Sequence, residues 1–442
     1  MAALLVFIVF LAGVILTVPI GTSMVLGASA PILLMDKGGD IIQMINNAYS
    51  GADSTPILAV PLFILGGVIM AEGGISRRLF NFFAYFVGKI RGGLPCACII
   101  TCLFYGAISG SGPATTAAVG SMCIPFLVDL GYDRKWSAGI MAVAGGLGVI
   151  IPPSIPFVLY SLATGVSTGD LFKGGVFPGI LIGVAMMIYA IVYCCRKNKD
   201  GSPREHRDLI NARLAEMKEV GFGKIFLDSI WALLCPIIVL GGIYSGLFTP
   251  TEAATISVIY AIIISVFVYK SVKLSELWGL LANSVKTYAG LAFVLAFATA
   301  FGRVLSLTKA TKAITDFLVG NFGSYWSVLA VLTVLFLILG MVMDTGPAII
   351  ILSPVLLPAA LELGQMAGLS KHEIEIHLGV ILVCCLSIGL ATPPFGLDLF
   401  VAANISSEMP MPVAKKALPF MLSFAAALIA IVFIPWFSTA LL

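Results

Sequence analysis

Apolar residues in this chain come in long unbroken blocks, not at the alternating or helical spacing of half-exposed elements. Blocks of roughly 18 or more residues without charge are long enough to cross about 30 Å of hydrocarbon as a helix. Charged breaks delimit such spans at roughly 4–18, 20–35, 54–71, a paired stretch 94–128, 137–163 and 175–195. After one polar segment, spans resume at roughly 229–247, 252–269, 285–306, a paired stretch 324–361, 378–406 and 417–440. The pattern predicts an all-α polytopic membrane protein. The first block, Met1 to Met35, is long enough to cross twice and lacks the basic start and small-residue cleavage site of a signal peptide.

Composition agrees with the pattern. The 442 residues are 60% hydrophobic and only 11% charged, where a soluble protein would be about a quarter charged. The net charge of +3 carries no message about nucleic acid, because the placement of charge outweighs its sum in such a chain. Nine cysteines stand in apolar context, Cys96, Cys98, Cys102, Cys194 and Cys384 among them, and read as small packing residues. The segment "HEIEIH" (372–377) spaces its histidines by five, not the four that bring both to one helix face for zinc. It reads as a solvated loop.

The chain also resembles itself. "SGSGPATTAAVGSMCIPFL" (109–127) matches "VMDTGPAIIILSPVLLPAA" (342–360), with Gly112-Pro113 recurring as Gly346-Pro347, 234 residues on. "IIPPSIPFVLYSLATGVS" (150–167) matches "LATPPFGLDLFVAANISS" (390–407). Corresponding Gly/Pro interruptions in two halves point to a transporter binding site. If each paired stretch is a re-entrant hairpin, each half crosses an odd number of times and the second is inverted. The domains expected are a first repeat 1–195, with an interfacial arm at about 74–91, hairpin at about 94–128 and broken helix at about 137–163. A polar linker 196–228 follows. The second repeat, 229–442, has its arm at about 307–321, hairpin at about 324–361 and broken helix at about 378–406.

Basic residues test this topology independently. Eighteen lysines and arginines, eight of them in the linker, fall on one side; only Lys37, Lys173, Lys309, Lys312 and Lys371 fall on the other. The positive-inside bias places the linker in the cytoplasm and both termini outside.

Unwound backbone at membrane depth survives only where protein, water or a ligand satisfies it. Inward-turned helix ends offer N–H groups to anions and carbonyls to cations. Serine and threonine hydroxyls beside them supply the neutral oxygens a hard cation such as sodium takes. The candidate sodium ligands are therefore Ser109, Ser111, Gly112 and Thr115 on the first hairpin and Asp344, Thr345 and Gly346 on the second. Gly148, Gly389 and Thr392 join them from the broken helices, where Pro152-Pro153 and Pro393-Pro394 free backbone carbonyls. Candidate substrate contacts are Ser109, Ser154 and Arg303. Arg303 is an intramembrane charge, and such charges mark substrate or ion pathways; arginine also binds carboxylates through two parallel hydrogen bonds. No Walker A pattern is present, so an ion gradient is the expected energy source.

Together "SGSGPATTAAVG", "IIPPSIPF", "GIYSGLFTPTEAA" (242–254), "GMVMDTGPAIIILSPVLLP" and "GLATPPFGLDLF" resemble the large membrane subunit of tripartite ATP-independent periplasmic (TRAP) transporters, over essentially the whole chain. The resemblance implies a bacterial inner-membrane subunit working with a small four-helix membrane subunit and a periplasmic substrate-binding protein. It implies sodium-driven import of an acidic solute, typically a carboxylate, by an elevator-like motion of a transport domain against a scaffold; the single arginine, Arg303, favours a sugar acid such as sialic acid over a C4-dicarboxylate. Carried onto this sequence, Ser109, Ser111 and Asp344 take the family's ion and substrate positions. Arg303 departs from the family's commoner pattern, which is apolar or aromatic there.

Three other readings compete. One is a self-sufficient carrier or antiporter needing no binding protein. Another is an intramembrane aspartyl hydrolase, suggested by Asp-Thr-Gly at 344–346; that chemistry needs two carboxylates sharing a proton, and the equivalent of "MDTG" is "SGSG". The third is a channel, which two occluding hairpins disfavour.

Overall fold

In the computed structural model the chain is described for residues 1–197 and 203–442, and over these residues it is helical with one isolated bridge, Lys197 to Pro203. Among the described residues, eight helices are long and apolar enough to cross a membrane. The expected hairpins are both present. The first pairs Gly93–Ser109 with Gly112–Asp129, and the second pairs Tyr325–Gly340 with Thr345–Met366. Each is preceded by a short helix, Ile75–Val87 and Ala310–Phe322, at the two places read as interfacial arms. The second arm turns through 118° into its hairpin.

Both broken helices are also found. The first runs Arg134–Gly145, tightens through Gly146–Val149, stops at the prolines and resumes as Ile155–Thr164. The second runs Lys371–Gly389 and resumes as Leu397–Ser406. Two adjacent prolines remove two N–H donors, so the helical ladder cannot pass through either break.

Burial separates two kinds of helix. The apolar stretch of Lys371–Gly389 is 83% buried within the protein, whereas those of Phe222–Tyr244 and the long helix Leu274–Leu307 are only 39% buried. A helix apolar all round and enclosed by protein belongs to a core; one apolar all round and half uncovered has lipid or another subunit for a neighbour. The hairpins and broken helices thus form a nucleus, and the long helix packs along it as part of an outer frame.

Three expectations need correction. "HEIEIH" is not a loop: it opens the helix Lys371–Gly389, started by a capping box between Ser370 and Glu373. His372 faces outward, 3.5 Å from Asp170, while His377 is buried between the Tyr325 hydroxyl and the Ile431 carbonyl. The linker, read only as a polar connection, has structure of its own. It contains the helix Arg207–Val220, and buried Glu205 accepts from Gly92 N–H at 3.0 Å and Tyr132 O–H at 3.1 Å, tying it to both stems of the first hairpin. Lys199 and Ser202 of that linker lie outside the described residues. Finally, the helix Ile41–Ala52 lies between the second and third expected spans, where none was read. Of the nine cysteines, eight are buried and Cys195 is exposed.

Candidate functional site

The first hairpin closes at Gly110, which takes a left-handed conformation (φ 62°), followed by extended Ser111 and a helix restarting at Gly112-Pro113. Glycine carries no Cβ penalty there, and a proline in the first helical turn sacrifices no intrahelical bond. The Gly110 carbonyl accepts from Ile155 N–H at 3.2 Å, just past Pro152-Pro153. The second tip repeats the tie: the Met341 carbonyl accepts from Phe395 N–H at 3.0 Å, just past Pro393-Pro394. Each hairpin also meets its broken helix glycine to glycine. A Cβ on Gly106 would come 2.6 Å from the Gly148 Cα, and one on Gly389 would strike the Gly340 backbone.

Oxygens gather at the first tip. Ser109 Oγ lies 2.9 Å from Thr115 Oγ1, which in turn donates to the Ser111 carbonyl at 2.8 Å. Gly148 closes this group, since any side chain there would collide with Thr115 Oγ1 and the Ser111 carbonyl. The Gly112 end of the following helix adds its N–H groups. At the second tip Asp344 is the N-cap of its helix, accepting from Thr345 N–H at 2.7 Å and Thr345 O–H at 3.3 Å. Gly346 follows in the first turn.

The two tips line one cavity of about 440 Å³, walled by Ser109, Ser111, Asp344 and Thr345 and by Thr287 and Leu291 of the long helix. It shares Gly67, Val68 and Ala114 with a larger space of about 900 Å³ bordered by Arg77, Arg78 and Asp228. The tip cavity therefore adjoins a space on the side of the protein that carries the linker.

Four expected residues are not brought there. Ser154 is fully buried, and its hydroxyl donates to the Val149 carbonyl at 2.5 Å and accepts from Phe157 N–H. It caps the resumed half of the broken helix. Arg303 lines a different cavity, of about 470 Å³, farther along the long helix. Gly389 is used in packing against Gly340, and the Thr392 hydroxyl donates to the Ile388 carbonyl at 2.7 Å.

One functional candidate went unread in the sequence. Asp398, on the resumed half of the second broken helix, is completely buried, and among the described residues its carboxylate oxygens have no well-formed hydrogen bond, the Thr116 hydroxyl being its polar neighbour. Its position abuts Gly112 on the first hairpin: a Cβ there would come 2.9 Å from Asp398 Oδ2. That hydroxyl is buried and makes no well-formed hydrogen bond either. A carboxylate taken wholly out of water must be neutralised by a cation or a proton. The signal was available as a lone acid inside an apolar span.

Comparison with known proteins places this geometry. The family model of the tripartite ATP-independent periplasmic transporter DctM component matches residues 7–437. The chain is 37% identical to the C4-dicarboxylate TRAP transporter large permease protein DctM of Pseudomonas aeruginosa, over 94% of this chain and 93% of that one. It is 32% identical to the 2,3-diketo-L-gulonate TRAP transporter large permease protein YiaN of Escherichia coli, over 98% and 97%. It is 38% identical to the isethionate TRAP transporter permease protein DctMQ of Oleidesulfovibrio alaskensis, covering 88% of this chain but 58% of that longer protein. Among solved structures, the YdaH transporter of Alcanivorax borkumensis superposes with a TM-score of 0.60 at 14% identity, over 89% and 87% of the two chains, which is a likeness of fold. Two hairpins with their tips on one cavity, each tied to a broken helix, are thus the core of a transporter permease and not an enzyme: the chain belongs to the DctM component family of tripartite ATP-independent periplasmic transporters.

Proposed function

We propose that this chain imports a small organic acid together with sodium, receiving the solute from a periplasmic binding protein and working with a small membrane subunit. The observation that carries the reading is the convergence of both hairpin tips on one cavity that holds hydroxyls from one half and a carboxylate from the other. Sodium is the inferred coupling ion because the first tip gathers Ser109, Ser111 and Thr115 oxygens within hydrogen-bonding distance of one another. A second ion is inferred at Asp398 and Thr116, the buried pair beside Gly112 that lacks a well-formed hydrogen bond. Asp344 supplies the acidic group at the second tip. Helix N-termini at Gly112 and Thr345 face the solute's acid group.

The solute class we infer is a compact acid, with sugar acids, C4-dicarboxylates and sulfonates as its members; a single guanidinium, Arg303, favours one acid group accompanied by hydroxyls. Relatives named for C4-dicarboxylate, 2,3-diketo-L-gulonate and isethionate support the class. We place the chain in a bacterial inner membrane with the linker cytoplasmic and both termini periplasmic. The repeats 1–195 and 229–442 supply a transport domain of hairpins and broken helices, which moves as an elevator against the remaining frame.

The test begins with a thermal-shift screen of organic acids on the partner binding protein. Uptake of the acid it selects is then measured in proteoliposomes holding both membrane subunits. Sodium-dependent uptake should need the binding protein, and Ser109→Ala and Asp344→Asn should each raise the sodium required for half-maximal rate. Uptake without the binding protein would favour a self-sufficient carrier. Uptake indifferent to sodium in the parent protein would overturn the coupling.

A further inference from the structure

The long helix Leu277–Leu307 begins near the linker side and ends, by its 31 residues, about 45 Å away. Its side chains toward the core form one stripe. Thr287 and Leu291 border the tip cavity, and Leu295, Ala298, Gly302 and Ser306 continue at helical spacing along the second cavity, with Arg303 beside them. The opposite wall is shared in the same way. The resumed half of the first broken helix gives Leu159 to the tip cavity and Leu162 to the second; the helix after the second tip gives Gly346 to one and Ile350 to the other. The two cavities are therefore successive stations along one helix-to-core interface.

The second station has an anion-binding character that nothing in the fold consumes. None of the ion pairs among the described residues includes Arg303. The cavity it borders is about 470 Å³, with Asn47, Ser50 and Thr299 as further polar walls and no acidic residue. Beside it, Gly302 has open space on its core side, with no atom within 4 Å of where a Cβ would stand. An arginine that merely snorkelled to an interface would need neither a cavity nor hydroxyl and amide neighbours.

We propose that the Arg303 cavity is the outward-facing half of the solute pathway. The hairpin tips slide along the long helix until they lie level with Arg303, whose guanidinium pairs the solute's acid group there and is left behind on the inward stroke. From Leu291 to Arg303 the helix rises about 18 Å, which sets the travel. This inference rests on the elevator reading above and adds to it a fixed, state-specific anion contact on the frame. It also resolves why Arg303 has an apolar equivalent, Ile69, in the first half: a contact made in one state only need not obey the repeat.

Two measurements on the assembled transporter test it, with exposed Cys195 replaced by serine and the buried cysteines left in place. The first pairs Ala114→Cys on the first hairpin with Thr299→Cys on the long helix, positions that border different cavities here. A short bifunctional maleimide should join them in membranes, and Ala114→Cys with Gly302→Cys serves if the first pair assembles poorly. Failure of both pairs to cross-link in assembled, uptake-competent transporter overturns the travel. The second measures how fast Thr299→Cys reacts with 2-sulfonatoethyl methanethiosulfonate, a small anion, against its trimethylammonium counterpart. R303Q should slow the anion roughly fivefold and speed the cation by about as much, for unit charges a few ångströms apart in water, so the anion-to-cation rate ratio should fall about twenty-five-fold, while R303K should preserve it. An unchanged ratio in R303Q overturns the anion site. Sodium-driven uptake by the parent protein is measured separately, so failure of the transport reading is distinguishable from failure of this one.

Discussion

Asp398→Asn should push the protein's stability in opposite directions with and without sodium. The carboxylate is completely buried, and among the described residues neither it nor the neighbouring Thr116 hydroxyl makes a well-formed hydrogen bond. An uncompensated buried charge costs about 3–5 kcal/mol, and an unsatisfied buried amide about 1–3 kcal/mol. In sodium-free buffer the asparagine variant should therefore be the more stable protein, by about 2 kcal/mol. A change of 1 kcal/mol moves the melting temperature by about 2–4 °C in domains of 150–250 residues and by less in longer chains, so the expected rise is about 2–4 °C. Sodium reverses the order. An ion present at a hundred times its dissociation constant stabilises the parent by about 2.7 kcal/mol, and the variant should lose most of that gain.

The assay is thermal unfolding of the detergent-purified transporter in choline chloride and in sodium chloride at equal ionic strength. Thr116→Val is the companion change, removing an oxygen but no charge, and should reduce the sodium gain less than Asp398→Asn does. If Asp398→Asn is destabilised in choline and keeps the full sodium gain, the carboxylate is a packing defect and not an ion ligand. If acidification in choline stabilises the parent as sodium would, and does nothing for the variant, the neutralising ion is a proton.

Two further outcomes follow from the geometry. Ser154→Ala should cost about 1 kcal/mol of stability, the usual price of a lost N-cap, and leave the solute concentration for half-maximal uptake unchanged; a tenfold rise there would return Ser154 to the solute site. For orientation, a cysteine at Glu219 in the linker helix should resist an impermeant thiol reagent on intact spheroplasts, while one at Lys371 should react; both positions are exposed. The reverse pattern would invert the topology drawn from the basic residues.

The hairpins and breaks were legible because their signals are local. Gly-Pro and Pro-Pro punctuate the backbone wherever they stand, and recurrence at matching places marks them as architecture. What stayed hidden depended on contacts between halves. Each tip was expected to share its ion with its own broken helix, yet Asp398 of the second half abuts Gly112 of the first; no spacing in one dimension encodes that. Ser154 has a local role that its type alone did not reveal. A serine followed by Ile-Pro is the signature of a helix start, and the hydroxyl that seemed free to meet a solute serves the break itself. "HEIEIH" misled through composition: its polar half faces solvent while His377 turns into the core to meet Tyr325. Glu205 was lost among the charges of the linker, where only burial distinguishes it.

The repeat and the chemistry are divided between backbone and side chain. What the halves share is mostly main chain: Gly106 on Gly148 and Gly340 on Gly389 at equivalent places, and at each tip a carbonyl, of Gly110 or of Met341, held by an N–H just past the prolines, although those two carbonyls are not equivalent in the repeat. What differs is the set of groups that meets a ligand. Ser109 stands where the second half has Met343, Asp344 where the first has Gly110, and Asp398 has an apolar partner, Phe157, on the equivalent helix. Approximate symmetry is what two hairpins need in order to close on one another from opposite sides, since the same fold then serves both. Its breaking is what gives the shared cavity a neutral oxygen face and an acidic one. On the proposed reading, that asymmetry also supplies the coupling. A core with Asp398 bare must either hold a charge away from water or take up a proton, sodium removes that penalty, and the ion-bound core is the one that can move a negatively charged solute along the apolar face of the long helix.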